Sequence, residues 1–279
     1  MNIVVIITDI QADKNALDFG GLLARVTNSE ITLLLIVPDE AKMPQGEQIL
    51  SQAKDALSDL PVNTSLCTGK RVSRVLTELR ENAYQIIVIG EGQKTVIAQQ
   101  NQRQLIRAII NRASASVVIV RQPRKTLERI LICTGGMQVA EPVIQAGAYL
   151  ARKASAQVTL LHVAGTIPSM YTGLGEIDET LSELLKTDTP TAKHLRQSAR
   201  LLEKYGVTAE MKLRHGVVAN EILREAAKSQ DDLIVIGAPE QKKRFKKWLL
   251  GDVTGAILER SSCPVLIAKA GLGDPPEST

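Results

Sequence analysis

The 279-residue chain is poor in aromatics, with two Phe, one Trp and four Tyr making up 3% of it. Its core must therefore be aliphatic, and it lacks the stacking faces on which single-stranded nucleic acid is held. Three cysteines, Cys67, Cys133 and Cys263, show no metal-ligand spacing and are an odd number. They read as small buried hydrophobes in a reducing compartment. No apolar run approaches the roughly 18 residues of a membrane helix. The start, MNIVVIITDI, has neither a basic lead nor a small-residue cleavage site, so the sequence reads as cytoplasmic, with no membrane partner. An excess of one charge is missing too: 34 Lys and Arg stand against 30 Asp and Glu, a net of +4. That balance argues against a nucleic-acid partner.

What is present is an ordinary globular composition, 44% hydrophobic and 23% charged, at about twice the modal domain length. The chain repeats itself. Ile31-Thr-Leu-Leu-Leu-Ile returns as Val158-Thr-Leu-Leu-His-Val, and Ile86-Ile-Val-Ile-Gly90 returns as Leu233-Ile-Val-Ile-Gly237. The terminal runs Val117-Val-Ile-Val and Val265-Leu-Ile-Ala also match. The spacing between copies widens along the chain, which places an insertion near 165–190 in the second copy. The reading is a first domain at 1–122, a short linker, a second domain at 127–270 and a flexible tail at 271–279.

Within each copy, short β-branched runs alternate with helical periodicity. Expected strands include Ile3–Thr8, Ile31–Val37, Ile86–Ile89 and Val117–Val120, with Ile130–Cys133 and Val158–Val163 in the second copy. Expected helices carry Ala16, Phe19, Leu23 and Val26, or Val143, Gly147, Leu150, Ala151 and Ala154, on one face; others lie near Ile49–Leu60, Val72–Asn82 and Leu105–Ala113. The fold class is α/β: two tandem five-stranded parallel sheets, Rossmann-like, covered on both faces. The apolar last strands are expected to meet across a pseudo-twofold axis, as an internal pair of domains; a homodimer of the whole chain is left open.

Three phrases are specific: Asp232-Leu-Ile-Val-Ile-Gly237, Leu249-Leu-Gly251-Asp-Val-Thr254 and Cys263-Pro264-Val-Leu-Ile. On these the chain resembles the universal stress protein family in its tandem form, over nearly its whole length. The resemblance implies an adenine-nucleotide α-hydrolase-like fold with strand order 3-2-1-4-5. Some members bind ATP through a loop after the fourth strand: Gly, two residues, Gly, nine residues, Gly, then Ser or Thr. Glycines let backbone N–H groups approach phosphate, and the last pair opens a helix whose N-terminus attracts anions.

In the second copy the loop begins at Gly237 and reaches Gly251. Glu240 and Asp252 stand where the family has Gly and Ser or Thr, while Lys242–Lys247 supplies opposing charge. The basic run also reads as a solvated amphipathic turn, and Asp252 as a helix cap. The family's Asp after the first strand survives in the first copy as Asp9, ahead of Gly90, but that copy lacks the glycine loop; in the second copy Gly135 holds the place. The candidate nucleotide-binding residues are Thr134, Gly135, Val163, Gly237, Gly251, Asp252, Val253 and Thr254, with Asp9 and Gly90 as relics in the first domain. His162, His194 and His215 share no short spacing and read as separate structural or surface residues. Asp231-Asp232 reads as the end of a helix.

No nucleophile, base and orienting group gather in the sequence. The favoured reading is a non-catalytic stress-response protein, regulatory or protective, with ATP or another adenine nucleotide as its ligand in the second domain. The alternative is a weak ATPase or nucleotide transferase using the Gly237–Thr254 loop.

Overall fold

The computed structural model describes residues 1–91, 95–122, 124–135, 140–164, 181–238, 252–269 and 272. The first repeat runs β1 (Asn2–Ile7), α1 (Ile10–Thr27), β2 (Glu30–Val37), α2 (Met43–Asp55), β3 (Val62–Thr68), α3 (Arg71–Glu81), β4 (Ile86–Gly90), α4 (Val96–Arg112) and β5 (Ser116–Val120). The second runs β6 (Arg129–Thr134), α5 (Ala140–Ala154), β7 (Gln157–Ala164), α6 (Leu181–Leu184), α7 (Pro190–Lys204), β8 (Ala209–His215), α8 (Val218–Ser229), β9 (Leu233–Gly237), α9 (Asp252–Arg260) and β10 (Val265–Ala268).

These elements pack as two compact units, the first being Met1–Leu127 with Ser262–Ala270 and the second built on Glu128–Ser261. The units therefore divide differently from the repeats: β10 belongs to the second copy by sequence and to the first unit by packing. In the first unit β3, β2, β1, β4 and β5 lie side by side, all parallel. β10 adds antiparallel to β5, with Val265 opposite Ile119 and Ile267 opposite Val117. Both strands are buried along their whole length, so pairing removes an apolar edge that would otherwise recruit another chain. Just beyond β10, Lys269 sends its ammonium to the carbonyls of Ile109 and Ala113 at the end of α4. A cation there meets the negative end of the helix and its free acceptors. In the second unit the order is β9, β6, β7, β8, again parallel.

Burial follows the sequence pattern. The central strands β1, β4 and β6 are apolar on both faces and inaccessible but for the first residues of β1 and β6, as helices on both sides of a parallel sheet require. Phe19, the largest fully buried side chain, lies among aliphatics. Two helices differ from expectation at their ends. α2 starts at Met43 because Pro44, which needs no N–H partner, opens it; residues 56–60 form turns. α4 starts at Val96, where the Thr95 hydroxyl accepts from the Ala98 N–H at 3.2 Å. Cys133 and Cys263 are buried as expected, but Cys67 is half-buried, with the Arg74 guanidinium 3.5 Å from its sulfur.

Each unit seats its first helix on its first strand through a glycine. A methyl on Gly20 would come within 2.5 Å of the Val5 side chain, and one on Gly147 would overlap Ile132. Exposed helical Gly→Ala normally gains about 1 kcal/mol, whereas overpacking a core costs about 1–3 kcal/mol. Gly20→Ala and Gly147→Ala are expected to lower stability in denaturant unfolding. A gain in stability from either would show that the helices do not need this approach.

Candidate functional site

In open parallel sheets, ligands collect at the carboxyl ends of strands where the chain order reverses. In the first unit that place lies between β1 and β4, and its own side chains occupy it. Asp9 accepts from the Gln11 and Ala12 N–H groups, both at 2.9 Å, as the N-cap of α1. One turn on, Asp13 is 1% exposed. Its Oδ2 accepts from the Thr8 N–H and hydroxyl, both at 2.6 Å, and from the Asp9 N–H at 3.3 Å. Its Oδ1 has no partner, and a Cβ on Gly90 would come within 3.2 Å of it. Burial raises the Asp13 pKa above the ordinary carboxylate value, against the Thr8 hydrogen bonds and the positive charge of Arg71.

The Gly90 carbonyl is taken by the amide of the buried Gln102, and Glu91 is paired with Arg121. Asp13, Arg71 and Gln102 were not legible as site residues. The only signal was an Asp four residues after Asp9, which reads as an ordinary first-turn acid.

The second unit offers the same crevice between β6 and β9. Ile130 stands between Val158 and Leu233 as Ile3 stands between Ile31 and Ile86. That register corrects one alignment: Asp9 corresponds to Gly136, outside the described residues, and Gly135 corresponds to Thr8. Thr134, His162 and Leu213 form one row across β6, β7 and β8, and the β6–β9 register carried two residues further sets Gly237 level with Thr134. The strand-end candidates Thr134, Gly135, Val163 and Gly237 thus share one rim. Thr134 is buried, Val163 and Gly237 are half-buried, and Gly135 is exposed. A Cβ on Gly135 would meet none of the described residues within 4 Å. Asp252 is the first residue of α9, followed by the exposed Val253 and the buried Thr254. Gly251, Glu240 and Lys242–Lys247 lie outside the described residues.

The histidines depart from expectation. His162 lies 5.7 Å from His194, ring centre to ring centre, and its Nδ1 is 3.2 Å from the Thr134 carbonyl. Burial lowers the pKa of both rings below the ordinary imidazole value, and His215 lowers that of His162 further. His162 and His194, far apart in sequence, meet because α7 packs on the face of β7 and β8. Among the described residues no group of three or more His, Cys, Asp or Glu could hold a metal, and no helix is long and apolar enough to cross a membrane.

On the opposite face of the second unit's sheet, Glu225 accepts from Lys212 at 2.8 Å and from Arg214 at 2.7 Å. Burial would raise its pKa, but these two partners outweigh that and hold it at about 2. Asp232 accepts from the Glu128 and Arg129 N–H groups at 2.8 and 3.1 Å, tying the start of β6 to the start of β9. Its neighbour Asp231 has an unpartnered, buried Oδ2. Burial first, then the charge of Glu225, raises its pKa to about 7. These carboxylates therefore do more than end a helix.

This is an α/β architecture built on parallel strands in each unit. The universal stress protein family matches residues 126–269, and the chain belongs to that family, a family of stress-response proteins. A universal stress protein of Methanocaldococcus jannaschii, MJ0531, is 30% identical over 151 residues, 54% of this chain and 87% of its own. One from Synechocystis, Slr1230, is 21% identical over 272 residues, 94% of this chain and 88% of its own. The crystal structure of a universal stress protein from Archaeoglobus fulgidus shares the fold, with a TM-score of 0.71 and 14% identity, over 96% of this chain and 98% of that one.

The raised Asp231 pKa has a definite sign. Between about pH 4 and pH 7 the folded state keeps a proton that the unfolded chain releases, so this residue's contribution to stability falls as pH rises through that window. Asp231→Asn is expected to flatten the slope and to exceed the parent's stability at pH 8 by on the order of 1 kcal/mol or more. Denaturant unfolding at a series of pH values checks this; an unchanged slope would contradict it.

Proposed function

We propose that this chain is a non-catalytic stress-response protein, regulatory or protective, that holds ATP or another adenine nucleotide in its second unit. The observation that carries the reading is the contrast between the two strand-end crevices. In the first, Thr8, Asp9, Asp13 and Gln102 are engaged with one another and with Gly90. A buried carboxylate also stands behind the glycine, and a negative charge in a desolvated site opposes phosphate. In the second, Thr134, Gly135, Val163 and Gly237 line one rim, and among the described residues none stands within 4 Å of a Cβ on Gly135. Asp252, Val253 and Thr254 open the helix that follows, and Gly251 completes the candidate loop.

The same reading takes 1–122 and 127–270 as the duplicated pieces and the β5–β10 pairing as the seam of an internal pair, working in the cytoplasm. Regulation is favoured over ATP hydrolysis because catalysis needs a base or a metal-holding carboxylate at the first-strand turn, where the sequence after β6 (which ends at Thr134) is Gly135-Gly136.

Two substitutions in the full chain test it. Gly135→Leu has room to be accommodated and projects into the rim, so ATP affinity by calorimetry is expected to fall at least about tenfold, roughly 1.4 kcal/mol. Asp9→Asn keeps the α1 cap and is expected to leave affinity unchanged. The opposite pattern would move the site to the first unit and overturn the proposal.

A further inference from the structure

Two of the three histidines of this chain, His162 and His194, pack together in the second unit, and His215 lies near enough to influence the charge of His162. Strand alternation explains the meeting. His162 is level with Thr134 and Leu213, and His215, two residues beyond Leu213, faces the same way. On that face Leu213 packs against Leu184, Ala192 and Leu195 of α6 and α7, and α7 brings in His194. Lys212 and Arg214 face the other way, where Glu225 engages both. His215 is exposed, His162 half-buried, and His194 only 4% exposed. The buried Nε2 of His194 finds no hydrogen-bond partner among the described residues. The Nδ1 of His162 donates to the Thr134 carbonyl, which leaves its Nε2 to take up a proton.

We propose that Thr134, His162, His194 and His215 form a proton-linked oxyanion site, which takes a sulfate- or phosphate-class anion as the histidines become charged. With its Nδ1 committed to Thr134, His162 offers such an anion no N–H while neutral and one N–H with a positive charge once protonated. Burial lowers the proton affinity of His162 and His194, His215 adds to this at His162 and His162 adds to it at His194, so an entering anion favours the entry of a proton. By linkage the anion must raise the histidines' affinity for protons as much as protons raise theirs for the anion. The charged groups of α5, α6 and α7 are Glu141, Arg152, Lys153, Glu183, Lys193, Arg196, Arg200, Glu203 and Lys204. All of these but Arg196 are exposed. Arg196 is engaged by the carbonyls of Leu185 and Thr187 and by Asp188. The site shares Thr134 with the rim proposed for the nucleotide but does not depend on a nucleotide being bound there.

Three imidazole signals make the test direct. Their titration is followed by NMR in the full chain with sulfate, whose charge is constant across the range, and with chloride at matched ionic strength. Sulfate is expected to raise the midpoints of His162 and His194 where chloride does not. Its affinity is expected to be about tenfold higher near pH 5.5 than near pH 7.5, and His162→Gln should remove most of that difference. Midpoints that sulfate leaves unmoved, or moves no more than chloride, would overturn the site, and the parent protein alone settles this if the variant fails to fold. Displacement of sulfate by AMP would assign the anion to a nucleotide phosphate, and its failure to displace would assign it to a free oxyanion; the site stands in both cases. ATP binding without any sulfate effect would leave the nucleotide reading intact and reject this one.

Discussion

The close seating of α1 on β1 and of α5 on β6 is the constraint on which the rest depends. At Gly20 and Gly147 a methyl group is too much, so each helix lies directly against its strand. That contact sets the height at which the helix begins, and hence what its first turn can reach at the carboxyl end of the sheet. In the first unit it brings Asp13 behind Gly90. In the second the same place in α5 is taken by Ala140, which carries no charge. One backbone arrangement thus yields two crevices of different electrostatic character, and the difference comes from side chains rather than topology.

Polar groups in both units are placed where burial makes them costly to leave unpaired. Most are satisfied: Glu225 by two cations, Asp232 by two backbone N–H groups, and the end of α4 by Lys269. Among the described residues the exceptions include Asp13 Oδ1, Arg71 Nη2, Gln102 Oε1, His194 Nε2, Ser198 Oγ and Asp231 Oδ2. Asp13, Gln102 and His194 stand at the strand ends where a parallel α/β sheet binds its ligands, and Asp231 stands at the opposite end, beside Glu225.

The sheets were legible because parallel strands buried on both faces write themselves as continuous β-branched runs. Ile3–Thr8 and Ile86–Ile89 are β1 and β4 to within a residue, and the match of Val117–Val120 with Val265–Ala268 anticipated the β5–β10 pairing. Helix ends were less legible, since Pro44 and Thr95 act through local caps that hydrophobic periodicity does not register. What the sequence hid was everything made by convergence. Asp13, Gln102 and Arg71 come from three helices, and His162, His194 and His215 from two strands and a helix; spacing along the chain carries no trace of either cluster. The one-residue displacement of Gly135 from the Asp9 position needed the strand register to be seen.

The central claim is that the second unit, and not the first, keeps an adenine nucleotide. Denaturing the purified full-length protein and resolving the released small molecules by chromatography tests this most directly. The account predicts an adenine nucleotide at no more than one equivalent per chain, recovered also after incubation of the stripped protein with ATP. Release of two equivalents, or of none after such incubation, would contradict it.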